Sequence, residues 1–84
     1  MKKRKLIEEM YSDDKLLFAD GFDKAIIGID DMDLKVVYDI DKCAEILMKR
    51  DGMSRDEAHE FLEFNTIGAY VGEKTPIWVR TYNV

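Results

Sequence analysis

The chain has 84 residues, 13 Lys and Arg against 18 Asp and Glu for a formal charge of −5, and 46% hydrophobic residues. One small domain fits this length, with no room for a second domain or a deep multilayer catalytic cleft, and the apolar content argues against disorder. No apolar run approaches the eighteen or so residues of a membrane span. The basic start is followed at once by acids, unlike a signal peptide, and a single cysteine fits a reducing cytoplasm.

The N-terminal stretch "KKRK" (Lys2 to Lys5) is followed by Leu6, Ile7, Met10 and Tyr11, spaced for one face of a helix over residues 1–12. Its basic residues come first and Glu8 and Glu9 later, so both charge groups oppose the helix dipole. Such a helix is marginal alone and must pack on the domain or on a partner. Four basic residues are too few for a nucleic-acid arm and read as a solvated terminus.

The α+β core is expected over residues 15–84, giving one domain over 1–84. "KLLFADGFD" is a short strand or loop ended by the turn dipeptide Asp20-Gly21. "AIIGI" and "LKVVYD", joined by "DDMD", predict an antiparallel hairpin with Leu34, Val36 and Tyr38 on its buried face. Gly28 inside the first strand marks a bulge or a close backbone approach.

"DKCAEILMKR" is helical, with Cys43, Ile46, Leu47 and Arg50 on one stripe, Lys49 and Arg50 favouring its C-terminal dipole, and Gly52 as its stop. Ser54, with Glu57 three residues on, predicts a capping box, and Met53 can staple onto Ala58. The letters "DEAH" at residues 56–59 spell a helicase box. No G-x-x-x-x-G-K-[ST] loop accompanies them and no apolar strand precedes them, so they read as the first turn of a capped amphipathic helix. Ala58, Phe61, Leu62 and Asn65 line one side of that helix, and Asp56, Glu60 and Glu63 another. The helix either stops near Asn65 or runs on toward Tyr70, with Gly68 as a close-packing point. Gly72 to Thr75 is loop and "IWVRTY" a final strand. The expected fold is α+β: a small antiparallel or mixed sheet, made of the hairpin and C-terminal strand, covered by the helical hairpin, with an N-terminal helix.

Candidate chemistry is sparse. His59 is the only histidine; with Asp56 or Glu63 it offers two metal ligands but lacks a third, and an exposed histidine beside carboxylates is the favoured reading. Cys43 lies near a helix start, where the dipole favours mild reactivity. A tight helical hairpin sets His59 opposite Glu45, so a Cys–His dyad has poor geometry and Cys43 reads as a core residue. "DDMD" and "YDID" lack calcium-loop spacing and read as a turn and a helix cap. No nucleophile elbow or phosphate loop is present, and no catalytic residue, metal or cofactor is expected.

From Asp20 to Glu63 the chain has 13 acidic against 6 basic residues, which repels nucleic acid and attracts basic surfaces. Asp56, Glu60 and Glu63 span about 10 Å of helix. Duplex DNA carries about six charges in that length, so the helix alone is a poor DNA mimic.

The runs "YDIDKCAEILMKRDGMSRDEAHEFLEFN" and "GAYVGEKTP", within about 65 of the 84 residues, resemble a family of small proteins encoded by phages, prophages and some bacteria. The resemblance covers roughly residues 16–79 and leaves "MKKRKLIEEMY" outside. It implies a phage-type intracellular accessory protein and carries no functional residues with it.

The resulting expectation is a non-enzymatic, cytoplasmic phage-type protein that binds a host or phage protein, such as a host defence complex inhibited in the manner of an anti-CRISPR. Its partner-binding residues are Asp56, Glu60 and Glu63, toward a basic partner surface, with Trp78 and Tyr82 as aromatic contacts. Neither membrane nor direct nucleic-acid binding is expected, and no oligomeric state is implied. The alternative is a small-molecule or metal-binding protein with weak hydrolase activity built around Asp39, Asp41, Cys43 and His59.

Overall fold

In the computed structural model, which describes residues 2–69 and 71–82, the hairpin forms where the apolar alternation placed it. Strands β1 (Ile26–Asp30) and β2 (Lys35–Asp39) pair antiparallel. Val36 and Tyr38 are fully buried, whereas Lys35 and Val37 between them are only partly so. The register slips between Ile26 and Gly28, so the expected bulge is present. The other reading of Gly28 fails, because a Cβ there would meet nothing within 4 Å.

The four-residue connection 31–34 is closed by a hydrogen bond from the Leu34 N–H to the Asp30 carbonyl (2.8 Å) and one from the Asp33 N–H to Asp30 Oδ2 (3.2 Å). Leu34 pays for this turn with φ of 52°, a region that disfavours side chains. Lys74 holds the turn from outside, donating to the carbonyls of Asp33 (3.1 Å) and Leu34 (3.2 Å).

The third strand, β3 (Ile77–Val79), runs parallel to β2, giving a mixed sheet in the order β1-β2-β3. It stops short of the expected "IWVRTY". The last pair is Asp39 with Val79, and beyond it β2 has already become helix, so Arg80 has no strand to pair with.

Helix α1 (Lys3–Met10) precedes the sheet, and α2 (Ile40–Asp51) follows β2 without a loop. Asp39 makes the α2 junction: its Oδ1 accepts from the N–H groups of Asp41 (2.9 Å) and Lys42 (3.2 Å), satisfying donors that a helix start leaves free. The buried stripe of α2 is Ile40, Cys43, Ala44 and Leu47, with Ile46 at its margin. Arg50, expected on that stripe, lies outside the core; its guanidinium caps the Phe22 ring at 5.8 Å and pairs with Asp51. A long cationic side chain at a helix end keeps its head in water while covering apolar surface.

Gly52 ends α2 in the left-handed region (φ 69°) and Ser54 opens α3 (Arg55–Leu62). The reciprocal cap is complete: Ser54 Oγ accepts from the Glu57 N–H (3.1 Å) and Glu57 Oε1 accepts from the Ser54 N–H (2.9 Å). Met53 packs on the core cluster that includes Ala58. The chain then widens into a π turn over Glu63–Ile67, between the two stopping points expected; Gly68 and Ala69 are no longer helical, so the helix does not run on toward Tyr70, which itself lies outside the described residues.

The core joins both layers, with Ile26, Val36 and Tyr38 from the sheet against Cys43, Leu47, Ala58 and Leu62 from the helical pair. "KLLFADGFD" is loop, ending in a short 3-10 turn (Asp23–Ala25) whose Ala25 is buried. On α1 the inward residues are Ile7 and Tyr11, whereas Leu6 and Met10, expected beside them, face solvent. Polar contacts set this rotation: Lys3 Nζ donates to the Ile26 carbonyl (3.2 Å), and Arg4 pairs with Asp23 (3.1 Å) while stacking over Phe18. Among the described residues no helix is long and apolar enough to cross a membrane.

Candidate functional site

The acidic face expected on α3 is formed. Ala58 and Leu62 are fully buried, and Asp56, Glu60 and Glu63 are exposed. Asp56 and Glu57 occupy the first turn, where the helix dipole favours negative charge. Glu57 is held below the usual carboxylate range first by the Ser54 N–H it accepts and then by the Ser54 side chain.

Phe61, expected on the buried side, is exposed. Its neighbour Phe64, absent from the expected site, is 80% exposed. With Ala58 and Leu62 filling the seam against α2, no inward position remains for either ring. The π turn shifts the residues beyond Leu62 off the helical stripe, and Asn65 stays outside to donate from Nδ2 to the Phe61 carbonyl (3.1 Å). Gly68 closes the turn, where a Cβ would lie 3.2 Å from the Glu63 carbonyl, so the close-packing role expected of it is local to this turn. Phe64 could have been suspected from the sequence, since it lies three residues after Phe61 and off the Ala58/Leu62 stripe.

Trp78 and Tyr82 have different surroundings. Trp78 is paired with Tyr38 across the strands and stacks on its ring, with centroids 4.8 Å apart and planes inclined by 23°. Its Nε1 is buried and has no hydrogen-bond partner among the described residues. Beside it runs a mainly apolar groove of about 350 Å³, lined by Leu17, Phe18, Asn65, Thr66, Pro76 and Trp78 among others. The π turn therefore carries Phe64 outward and forms one wall of the groove with Asn65 and Thr66. Tyr82, beyond β3, is 80% exposed.

The residues of the alternative site are largely committed to structure. Asp39 is 4% exposed, and its second oxygen accepts from the Thr81 hydroxyl at 2.9 Å. Cys43 is fully buried, which confirms its core position; burial, followed by the charge of Asp39, pushes its thiol up to about 12. The expected dipole activation is thus overturned, because desolvation outweighs a helix start already capped by a carboxylate. His59 meets Asp41, at 3.5 Å, and is partly buried instead of facing Glu45 in solvent. The three-residue link Gly52–Ser54 sets α3 one turn nearer the start of α2 than a symmetric hairpin centred on the glycine allows. Among the described residues no group of three or more His, Cys, Asp and Glu could hold a metal ion.

A second recess, of about 390 Å³, is lined by Arg4, Glu8, Tyr11, Ser12 and Lys15 among others, and its Arg4 is already paired with Asp23, Asp20 and Glu8. Compared with family models, curated proteins and solved structures, the chain gives no match.

Proposed function

We propose that this protein is a non-enzymatic accessory of phage type that acts by binding another protein, a host defence complex being the fitting kind of target. The outer side of α3 and the π turn is the docking surface. The observation that carries this reading is the exposure of Phe64, at 80%, on a segment that also presents Asp56, Glu60 and Glu63 to solvent. A large aromatic side chain held on a folded turn without cover is an anchor for a partner pocket, and the carboxylates form a rim that steers a basic surface toward it. Trp78 and the groove beside it extend the same surface across the π turn.

The reading is tested by affinity capture from host lysate, with and without infection, followed by binding measurements on the purified partner. Phe64→Ala should speed dissociation and weaken affinity most among single changes at this face, by tenfold or more, which corresponds to about 1.4 kcal/mol. Reversal of Asp56, Glu60 and Glu63 to lysine should mainly slow association, and the difference from wild type should shrink at high salt. A partner whose affinity is unchanged by both variants would remove this surface from the proposal.

A further inference from the structure

Among the described residues, the outer faces of α1 and of α3 with its π turn both expose large apolar side chains, and they complement one another. On α1 the inner side is fixed by Ile7 and Tyr11 on the core, by Lys3 on the Ile26 carbonyl and by Arg4 on Asp23. The outer side therefore presents Leu6 and Met10, the latter 67% exposed, together with Lys2, Lys5 and Glu9. On α3 and the π turn the outer side presents Phe61 and Phe64 with Asp56, Glu60 and Glu63. Each face pairs two large apolar side chains spaced by about one helical turn with charges, net basic on α1 and acidic on α3.

We infer that the occupant of these faces in the free protein is a second copy of the same chain, with α1 of each copy laid on α3 of the other. The warrant is charge complementarity. A basic, apolar helix face meets an acidic, apolar one, whereas pairing like with like would set Lys2 and Lys5 against lysines or Glu60 and Glu63 against glutamates, which costs energy at close range. A two-fold axis makes the contact twice, because residue i meeting residue j implies j meeting i, and it covers Leu6, Met10, Phe61 and Phe64 of each copy. Exposed apolar stripes on a small domain are otherwise exposed to nonspecific association.

This contact uses the same α3 face as the partner reading above, so a partner would compete with the second copy for it, and its test needs the purified chain alone. Sedimentation equilibrium at roughly 50 mM salt, up to about 1 mM protein, should give a monomer–dimer equilibrium that weakens toward about 500 mM salt. Glu60→Lys with Glu63→Lys should raise the dissociation constant at least about tenfold, and so should Lys2→Glu with Lys5→Glu. All four changes in one chain restore opposite charges across the contact and should recover dimerisation to within about threefold of wild type. Phe64→Ser, which leaves charge untouched, should weaken the dimer at both salt concentrations. Circular dichroism and a thermal melt verify that each variant is folded. A monomer throughout the range, a dimer indifferent to the reversals, failure of the fourfold variant to recover, or growth beyond a dimer would each overturn the inference.

Discussion

The Tyr38 hydroxyl accepts the backbone N–H of Ala19 at 2.7 Å, tying the centre of the sheet to the irregular segment before β1. Tyr38 is fully buried, so this bond supplies the polar tip of a core aromatic with a partner and anchors the loop to the sheet. Tyr38→Phe preserves the stacking on Trp78 and leaves the Ala19 N–H without an acceptor. The expected cost is about 1–2 kcal/mol, measured by urea denaturation. An unchanged midpoint would mean that the loop is held by other contacts.

Trp78 presents the reverse case, a buried donor with no acceptor among the described residues. Trp78→Phe keeps an aromatic ring over Tyr38 and removes the unpaired N–H, so its stability should stay within about 1 kcal/mol of wild type. Trp78→Ala should cost about 3 kcal/mol through lost packing. A phenylalanine variant as unstable as the alanine one would indicate that the indole N–H has a partner in solution, such as an ordered water.

The helical hairpin separates backbone strain from steric crowding. At Gly52 (φ 69°) a Cβ would meet nothing within 4 Å, so Gly52→Ala should cost only the left-handed conformation, about 1–2 kcal/mol. At Gly21 (φ 89°) a Cβ would also fall 2.7 Å from Arg50 Nη1, so the alanine variant must additionally displace the guanidinium from above the Phe22 ring. Thermal denaturation should therefore place Gly21→Ala below Gly52→Ala. Equal losses would show that the arginine moves freely.

Cys43 should resist a bulky thiol reagent in the native state and react on unfolding, and Cys43→Ala should cost on the order of 1–2 kcal/mol. Its titration also predicts alkaline sensitivity. The unfolded thiol ionises near 9.0 and the folded one only at about 12, so the unfolded chain loses its proton first. Stability therefore falls as pH rises from 9 toward 12, and Tyr38, raised from 10.0 chiefly by burial, adds to the fall above 10. Denaturation midpoints of Cys43→Ala should vary less than those of wild type between pH 9 and 10. Parallel curves would contradict the buried thiol.

Local chemistry was legible where a few adjacent residues decide the outcome. "RDGMSRDE" contains both the stop at Gly52 and the box at Ser54, and the alternation through Tyr38 specifies the buried face of β2. What depends on how elements meet was not legible. The rotation of α1 is decided by Arg4 reaching Asp23, nineteen residues away, and that pairing outweighs the helical spacing of Leu6 and Met10. Counting from the glycine pairs His59 with Glu45, but the helices pack with His59 beside Asp41. The acidic half of the candidate surface could be read because a carboxylate without a cap or a partner to satisfy, unlike Asp39, stays in water. Its aromatic half could not, because the exposure of Phe61 and Phe64 follows from the seam being filled by Ala58 and Leu62.

The parallel pairing of β3 with β2 sets an order of assembly. The β1–β2 hairpin closes across a four-residue connection, whereas Val79 reaches Asp39 only after both intervening helices have been traversed. The chain-closure entropy of the second pairing is larger, so β3 docks late, once α2 and α3 have brought its ends near the sheet. A strand of three residues added last is also the first to leave. Amide protons of Ile77 to Val79 should exchange by local opening while those of Val36 and Leu47 wait for global unfolding, and each opening uncovers the Tyr38 ring.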